Sequence, residues 1–405
     1  MSAMDSWDDE PTIDLDAVAE TLKKVSLDHG DGPVEAFLRC STVKKFELDA
    51  KTGETRSRVG REQGGALRWV DSRDSTSGFA AASGEGDRAL GRCRSISRRT
   101  PGRTVSTCPW NRVSQPANDI DPVRGVPEIE EMGSWLRDSA PEGLDWAWVE
   151  AGDVVETWLT GPDTVQARHR SRVWAAFMPS VDPPAARPMF LAARSWLDLT
   201  RRRPDLRWGE RLVDPDPVHP WPDDAQLVFS PETSAFLVHL LARVAHHPAA
   251  EPGSAVGSGW VLHVGAKDTL YGCDADDAGF PVEPRMLADG RHVLGNWGGP
   301  GHFRRASFRD EPEPTPSSLV LDPPRIDPPK RAAWVTRADV HPSGDAWLIR
   351  LEGRRYPEGA SFRPCWKRVR PRVLLDACLG GVGPAHEGHL GVVTPAVAFD
   401  SLLLD

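Results

Sequence analysis

The chain has 405 residues, 39% apolar and 27% charged, which is the balance of a folded protein with room for two or three domains of roughly 100–200 residues. Its 49 Lys and Arg against 59 Asp and Glu give a formal charge of −10, so the general attraction for phosphate backbones is missing and a nucleic-acid partner is excluded as the first reading. Six cysteines (Cys40, Cys93, Cys108, Cys273, Cys365, Cys378) form no CxxC pair, define neither a zinc ribbon nor a disulfide framework, and suit a reducing compartment.

The first residues are acidic and lack an apolar signal segment, and no stretch approaches the roughly 18 apolar residues of a membrane span. The expectation is a cytoplasmic protein without a membrane partner. The first predicted element is a helix over Leu15–Leu27, where Leu15, Val18, Ala19, Leu22 and Val25 recur at helical spacing. Two alternating runs, Val34–Ser41 and Val43–Leu48, read as a strand pair, with turn chemistry at Lys51-Thr-Gly-Glu. Strands over Ala66–Val70 and Gly78–Ala82 and a helix over Gly86–Ser95 complete an α+β beginning. The arginine-rich stretch Arg92–Arg103 reads as a solvated loop, since no groove-fitting helix or interleaved aromatic accompanies it. Ala186–Arg203 reads as an amphipathic helix ending on cations. Of sixteen tryptophans, eight lie between Trp135 and Trp221, a density that suits core filling.

Prolines at 215, 217, 220 and 222 mark the predicted domain boundary, giving an N-terminal α+β domain over 1–222 and a C-terminal, mainly antiparallel β domain over 223–405. After the strand Gln226–Phe229, Ser230-Pro-Glu-Thr carries an N-cap serine, a proline at the first helical position and a glutamate in the first turn. The helix so begun, 231–247, is apolar except for a stripe of Glu232, His239, Arg243 and His246. That stripe is either the solvent edge of a core helix or a face turned to a cavity, with His239, Arg243 and His246 as candidate substrate-binding residues. Strands are predicted over Trp260–Val264, Ser318–Leu321, Ala333–Arg337, Ala346–Leu351 and Val373–Ala377, with returns at Glu352-Gly353 and Gly279. The acidic run Asp274, Asp276, Asp277 fails as a calcium loop, because Ala278 and Arg285 stand at ligand positions, and reads as a turn.

Phe229-Ser-Pro-Glu-Thr-Ser-Ala-Phe-Leu-Val-His-Leu, then Asp274-Ala-Asp-Asp-Ala-Gly-Phe-Pro, Leu287-Ala-Asp-Gly-Arg, the block from Asp345 to Pro357 and the end from Leu375 to Leu404 resemble the TldD/PmbA family, whose members are also called TldE or modulator of DNA gyrase. The resemblance implies a heterodimeric metallopeptidase, in which one subunit binds zinc through His-Glu-x-x-x-His on this helix plus a C-terminal cysteine and hydrolyses small or unfolded peptides. Carried over by position, His239 matches the first ligand, Leu240 stands at the general base, Val244 at the second histidine, and Cys378 is the candidate for the thiolate. Zinc hydrolysis needs several fixed ligands, an open position for water and a base. His246, seven residues beyond His239 and roughly 10.5 Å along the axis, cannot share one ion with it. The implied role is therefore a TldE-like subunit, inactive by itself and without a cofactor of its own, whose partner is a TldD-like chain holding the zinc. The alternatives are a peptide-binding scaffold without a peptidase partner, and a divergent metal-dependent hydrolase built on His239, His246 and Cys378.

Overall fold

The computed structural model describes residues 15–71, 76–98, 119–120, 126–140, 144–159, 165–179, 189–202, 220–221, 225–247, 252–266, 269, 272, 276–278, 280–297, 302–305, 307–315, 318–388 and 391–400. The first part runs α1 (Leu15–Asp28), β1 (Val34–Asp49), β2 (Thr55–Asp71), β3 (Thr76–Ser83), α2 (Gly86–Ser97), β4 (Asp119–Ile120), α3 (Ile129–Ser139), β5 (Leu144–Leu159), β6 (Val165–Pro179), β7 (Met189–Ala193) and α4 (Trp196–Arg201). Its sheet has the order β3-β2-β1-β5-β6-β4, with β7 also on β6, and every pairing is antiparallel except β4 with β6. Val18, Leu22 and Val25 of α1 and Leu90 and Cys93 of α2 bury against Leu67 and Trp69 of β2. Met132 and Leu136 of α3 and Leu199 of α4 bury against Phe46, Val149 and Phe177 farther along the strands.

The second part runs β8 (Gln226–Phe229), α5 (Pro231–Ala245), β9 (Val261–Val264), β10 (Arg285–Asp289), β11 (Phe303–Arg304), β12 (Glu313–Pro314), β13 (Leu319–Leu321), β14 (Ala332–Ser343), β15 (Ala346–Tyr356), β16 (Ser361–Val369), α6 (Pro371–Ala377), β17 (Cys378–Glu387) and β18 (Val392–Phe399). Nine of these strands form a sheet in the order β10-β9-β13-β18-β8-β14-β15-β16, with β17 on β18. It is mainly antiparallel, with parallel pairings only of β13 with β18 and β8 with β14 among the described residues. Helix α5 lies in the largest core, where Leu237, Val238, Leu241 and Ala242 are buried with Phe229, Trp260, Ile349 and Phe399. The chain is therefore α+β, as its composition of helical and alternating segments predicted. No helix among the described residues is long and apolar enough to cross a membrane.

Four local expectations are corrected. Val34–Ser41 and Val43–Leu48 belong to one strand, because the residues between them pair with β2 and β5 on both sides. Ala186–Arg203 is not one helix: β7 pairs with β6, and Ser195, its hydroxyl accepting from the Asp198 amide, starts a new helix of six residues. Val373–Ala377 is helical rather than extended, since Pro371 at the first turn presets its φ and Leu374 and Leu375 turn into the core. Glu352-Gly353 lies inside β15 at a bulge, and Gly353 is required there because a Cβ would stand 2.0 Å from the Trp334 carbonyl oxygen. The returns are instead at Gly344 and Gly359, both with positive φ.

Of the arginine-rich stretch, Arg94 and Arg98 both bind Asp28 at 2.9 Å and tie α2 to α1, while 99–103 lie outside the described residues. The proline-rich stretch at 214–224 also lies outside them, apart from 220 and 221.

Candidate functional site

Helix α5 is fixed at its start by three small hydroxyl residues. The Ser230 hydroxyl, fully buried, accepts from the Thr233 amide at 3.4 Å. Thr233 donates to the Thr336 carbonyl of β14 at 2.8 Å, and Ser234 donates to the Phe229 carbonyl at 3.0 Å while accepting from the Val397 amide of β18 at 3.1 Å. Each satisfies a buried group that would otherwise cost stability, so the first turn is stitched to three strands.

The outer face of the helix carries Glu232, His239 and Leu240, half-buried, and Arg243 and Val244, exposed. Val244, where the second imidazole of the metal motif would stand, is 48% exposed. The predicted stripe does not reach His246, because the helix ends at Ala245 and His246 has φ −122°, leaving the helical path. Its ring turns inward and is completely buried. His246 Nδ1 lies 2.8 Å from the Gly295 carbonyl, and the Trp260 Nε1–H donates to its Nε2 at 3.1 Å. With an acceptor against one nitrogen and a donor against the other, these contacts assign the neutral tautomer protonated at Nδ1. The His246 and Trp260 rings lie nearly parallel, 7° apart with centroids 6.3 Å from each other, joined edge to edge by that indole hydrogen bond. Burial holds its pKa below that of an ordinary histidine, opposed by the Gly295 carbonyl. Both ring nitrogens are taken up by groups of the protein itself.

Cys378 is 1% exposed at the junction of α6 and β17, inside the same apolar core. Burial pushes its thiol pKa up, and its surroundings are those of a core packing group. Zinc does not fit this set: Leu240 and Val244 offer no donor atom, Cys378 is closed into the apolar core, and both His246 nitrogens are occupied by protein partners. Among the described residues no three His, Cys, Asp or Glu side chains are grouped to hold a metal ion.

A second polar assembly, not foreseen from the sequence, joins the two sheets. Asp276 is completely buried, its Oδ1 accepting from the Ala278 and Phe280 amides at 2.9 Å and its Oδ2 from Phe303 at 3.1 Å. Residues 276–278 are part of a turn organised by the Asp276 carboxylate, where a turn was expected, while Asp274 and Gly279 lie outside the described residues; burial raises the pKa of the Asp276 carboxyl. Asp277 accepts from the Arg305 amide at 2.7 Å and from the Arg304 guanidinium at 3.4 Å, and Arg170 of β6 stands 3.9 Å away. Arg170 also binds Glu156 at 2.8 Å. From β5, the Trp158 indole donates to the Asp277 carbonyl at 3.0 Å, and the Arg305 guanidinium lies 4.5 Å from the centre of the Phe37 ring. A small cavity between Glu35, Phe37, Arg68, Trp158, Ala278 and Arg305 lies along this seam. Sequence carries its two halves visibly, as Asp276-Asp277 and Arg304-Arg305, but nothing local says that they meet.

No family model matches the sequence, and no curated protein does. Solved structures do. The structure of TldE from Thermococcus kodakarensis superposes with a TM-score of 0.68 at 13% identity, covering 95% of this chain and 98% of that one. A protein from Thermotoga maritima described as a modulator of a DNA gyrase gives 0.70 at 10% identity, covering 94% and 98%. One so described from Bacteroides thetaiotaomicron gives 0.65 at 12% identity, covering 94% and 97%. Over nearly its whole length, this chain therefore has the fold of TldE and of the proteins described as modulators of DNA gyrase, the fold expected from its resemblance to the TldD/PmbA family.

Proposed function

We propose that the protein is the non-catalytic, TldE-like member of a two-chain zinc peptidase, in which a TldD-like partner holds the metal and hydrolyses small or unfolded peptides. The observation that carries this reading is the outer face of α5: it keeps His239 but has aliphatic side chains at 240 and 244, and Val244 is 48% exposed. A carboxylate and a second imidazole are what a zinc hydrolase needs there to activate water and hold the ion. Cys378, closed into the apolar core at 1% exposure, supports the same reading. The likeness to TldE from Thermococcus kodakarensis makes a subunit role a natural one for this fold. In the complex, this chain walls the peptide chamber and supplies no group to the reacting atoms.

The test is reconstitution. A homologue bearing His-Glu-x-x-x-His, expressed with this chain, should co-purify with it and cleave unfolded peptides, whereas each chain alone should be inert. Cleavage by this chain alone would overturn the reading.

A further inference from the structure

Strand β16 ends the large sheet and, among the described residues, pairs only with β15. Its inward residues Phe362 and Val369 join the core that holds α5. By the alternation of strand side chains, Trp366 and Arg368 of β16 and Leu348 and Arg350 of β15 stand on the opposite face. There Trp366 is 54% and Leu348 37% exposed, and the Trp366 ring lies 5.5 Å from that of His341 on β14, two strands away. Side chains from three strands thus form one apolar ledge beside a strand edge that is unpaired among the described residues.

The surroundings are basic. Residues 346–372 hold eight Lys and Arg against two Glu, in a chain of net charge −10. Several of these cations are paired: Arg350 with Glu352 at 2.7 Å, Arg370 with Asp345 at 3.1 Å and Arg372 with Asp376 at 3.4 Å. Arg363 and Arg368, both exposed on the edge strand, have no carboxylate partner among the described residues.

Cations and Pro364 on an edge are ordinary protection against pairing with another copy, and two β16 edges brought together would set arginine against arginine. Edge protection leaves the exposed tryptophan unexplained. Trp and Arg together are the pair that anchors protein interfaces, and an open edge offers backbone groups to an added strand.

We propose that β16 and the adjoining ledge dock an acidic, extended segment of a partner protein, which adds to the sheet as a further strand. Its carboxylates meet Arg363 and Arg368, and its apolar positions cover Trp366 and Leu348. This surface is on the face of the sheet opposite α5, and the proposal does not depend on the partner being a peptidase.

A fluorescein-labelled heptapeptide Glu-Thr-Val-Thr-Glu-Thr-Val, which puts Glu and Val on the same face of an added strand, tests it on the full chain, with Lys in place of Glu as control. The acidic peptide should bind, shift tryptophan emission, protect the β16 amides from hydrogen exchange and weaken with added salt. Trp366→Ala should lower its affinity about tenfold, the usual loss at an anchoring aromatic. Arg363→Glu with Arg368→Glu should transfer the preference to the Lys peptide. These side chains are exposed, so circular dichroism should be unchanged. Absence of binding, equal binding of both peptides, or protection elsewhere than β16 would overturn the proposal. Failure here leaves the reconstitution test of α5 unaffected.

Discussion

The two polar assemblies of this protein solve burial differently. Around α5, polar groups are neutral: Ser230, Thr233, Ser234 and His246 each meet a partner within the core that holds the helix, and none carries charge. Along the seam, Asp277, Arg304, Arg305, Arg170 and Glu156 are charged and reach between the two sheets. Neutral hydrogen bonds can be lost singly at modest cost, whereas a buried charge left alone is costly. The seam is thus where the halves are locked in register, and α5 is where the fold is merely finished.

This contrast is most easily broken at Asp277. Asp277→Ala removes the carboxylate from Arg304 and from the Arg305 amide, and should destabilise the protein by about 3–5 kcal/mol in urea unfolding, the range for stripping one partner from a buried ion pair. A loss below that of the neutral sites would reverse the ranking. His246→Ala comes next. It orphans the Gly295 carbonyl and the Trp260 indole and leaves a cavity, for about 2–4 kcal/mol.

The same histidine sharpens the comparison through pH. Burial holds His246 neutral in the fold, and burial with Arg285 and Arg304 nearby pushes His302 down to about 3. In the unfolded chain both bind a proton near pH 6.5, so between that point and their native pKa values the unfolded state holds more protons. Stability should therefore be full above about pH 6.5 and fall as the solution is acidified toward pH 3. A denaturation midpoint constant over that window, or one equally acid-sensitive in His246→Ala, would contradict the assignment. The smallest effect is expected on the outer face of α5: Leu240→Glu with Val244→His should alter stability by no more than about 1 kcal/mol, since Val244 is exposed and Leu240 half-buried, and should confer no peptide hydrolysis on the isolated chain.

How much of this was legible beforehand follows from how local each signal is. The start of α5 was readable because Ser230, Pro231 and Glu232 each act within one turn. Its end was not: periodicity carries His246 onto the stripe, and only the contacts with Gly295 and Trp260 show the chain leaving the helix there. The ambiguity of short apolar runs explains the error at Val373–Ala377, where five residues fit strand and helix equally and Pro371 decides. Gly353 looked like a turn because glycine usually means one, whereas here it answers a carbonyl on the neighbouring strand. The seam was invisible for the same reason in stronger form, since Trp158 and Asp277 are 119 residues apart.

The central claim is that helix α5 of this chain cannot hold a catalytic metal. Metal analysis by mass spectrometry of the purified chain, dialysed against zinc and then against metal-free buffer, tests it most directly. The account predicts no stoichiometric zinc, with the same result for His239→Ala. A full complement of zinc in the natural chain that disappears in His239→Ala would contradict it.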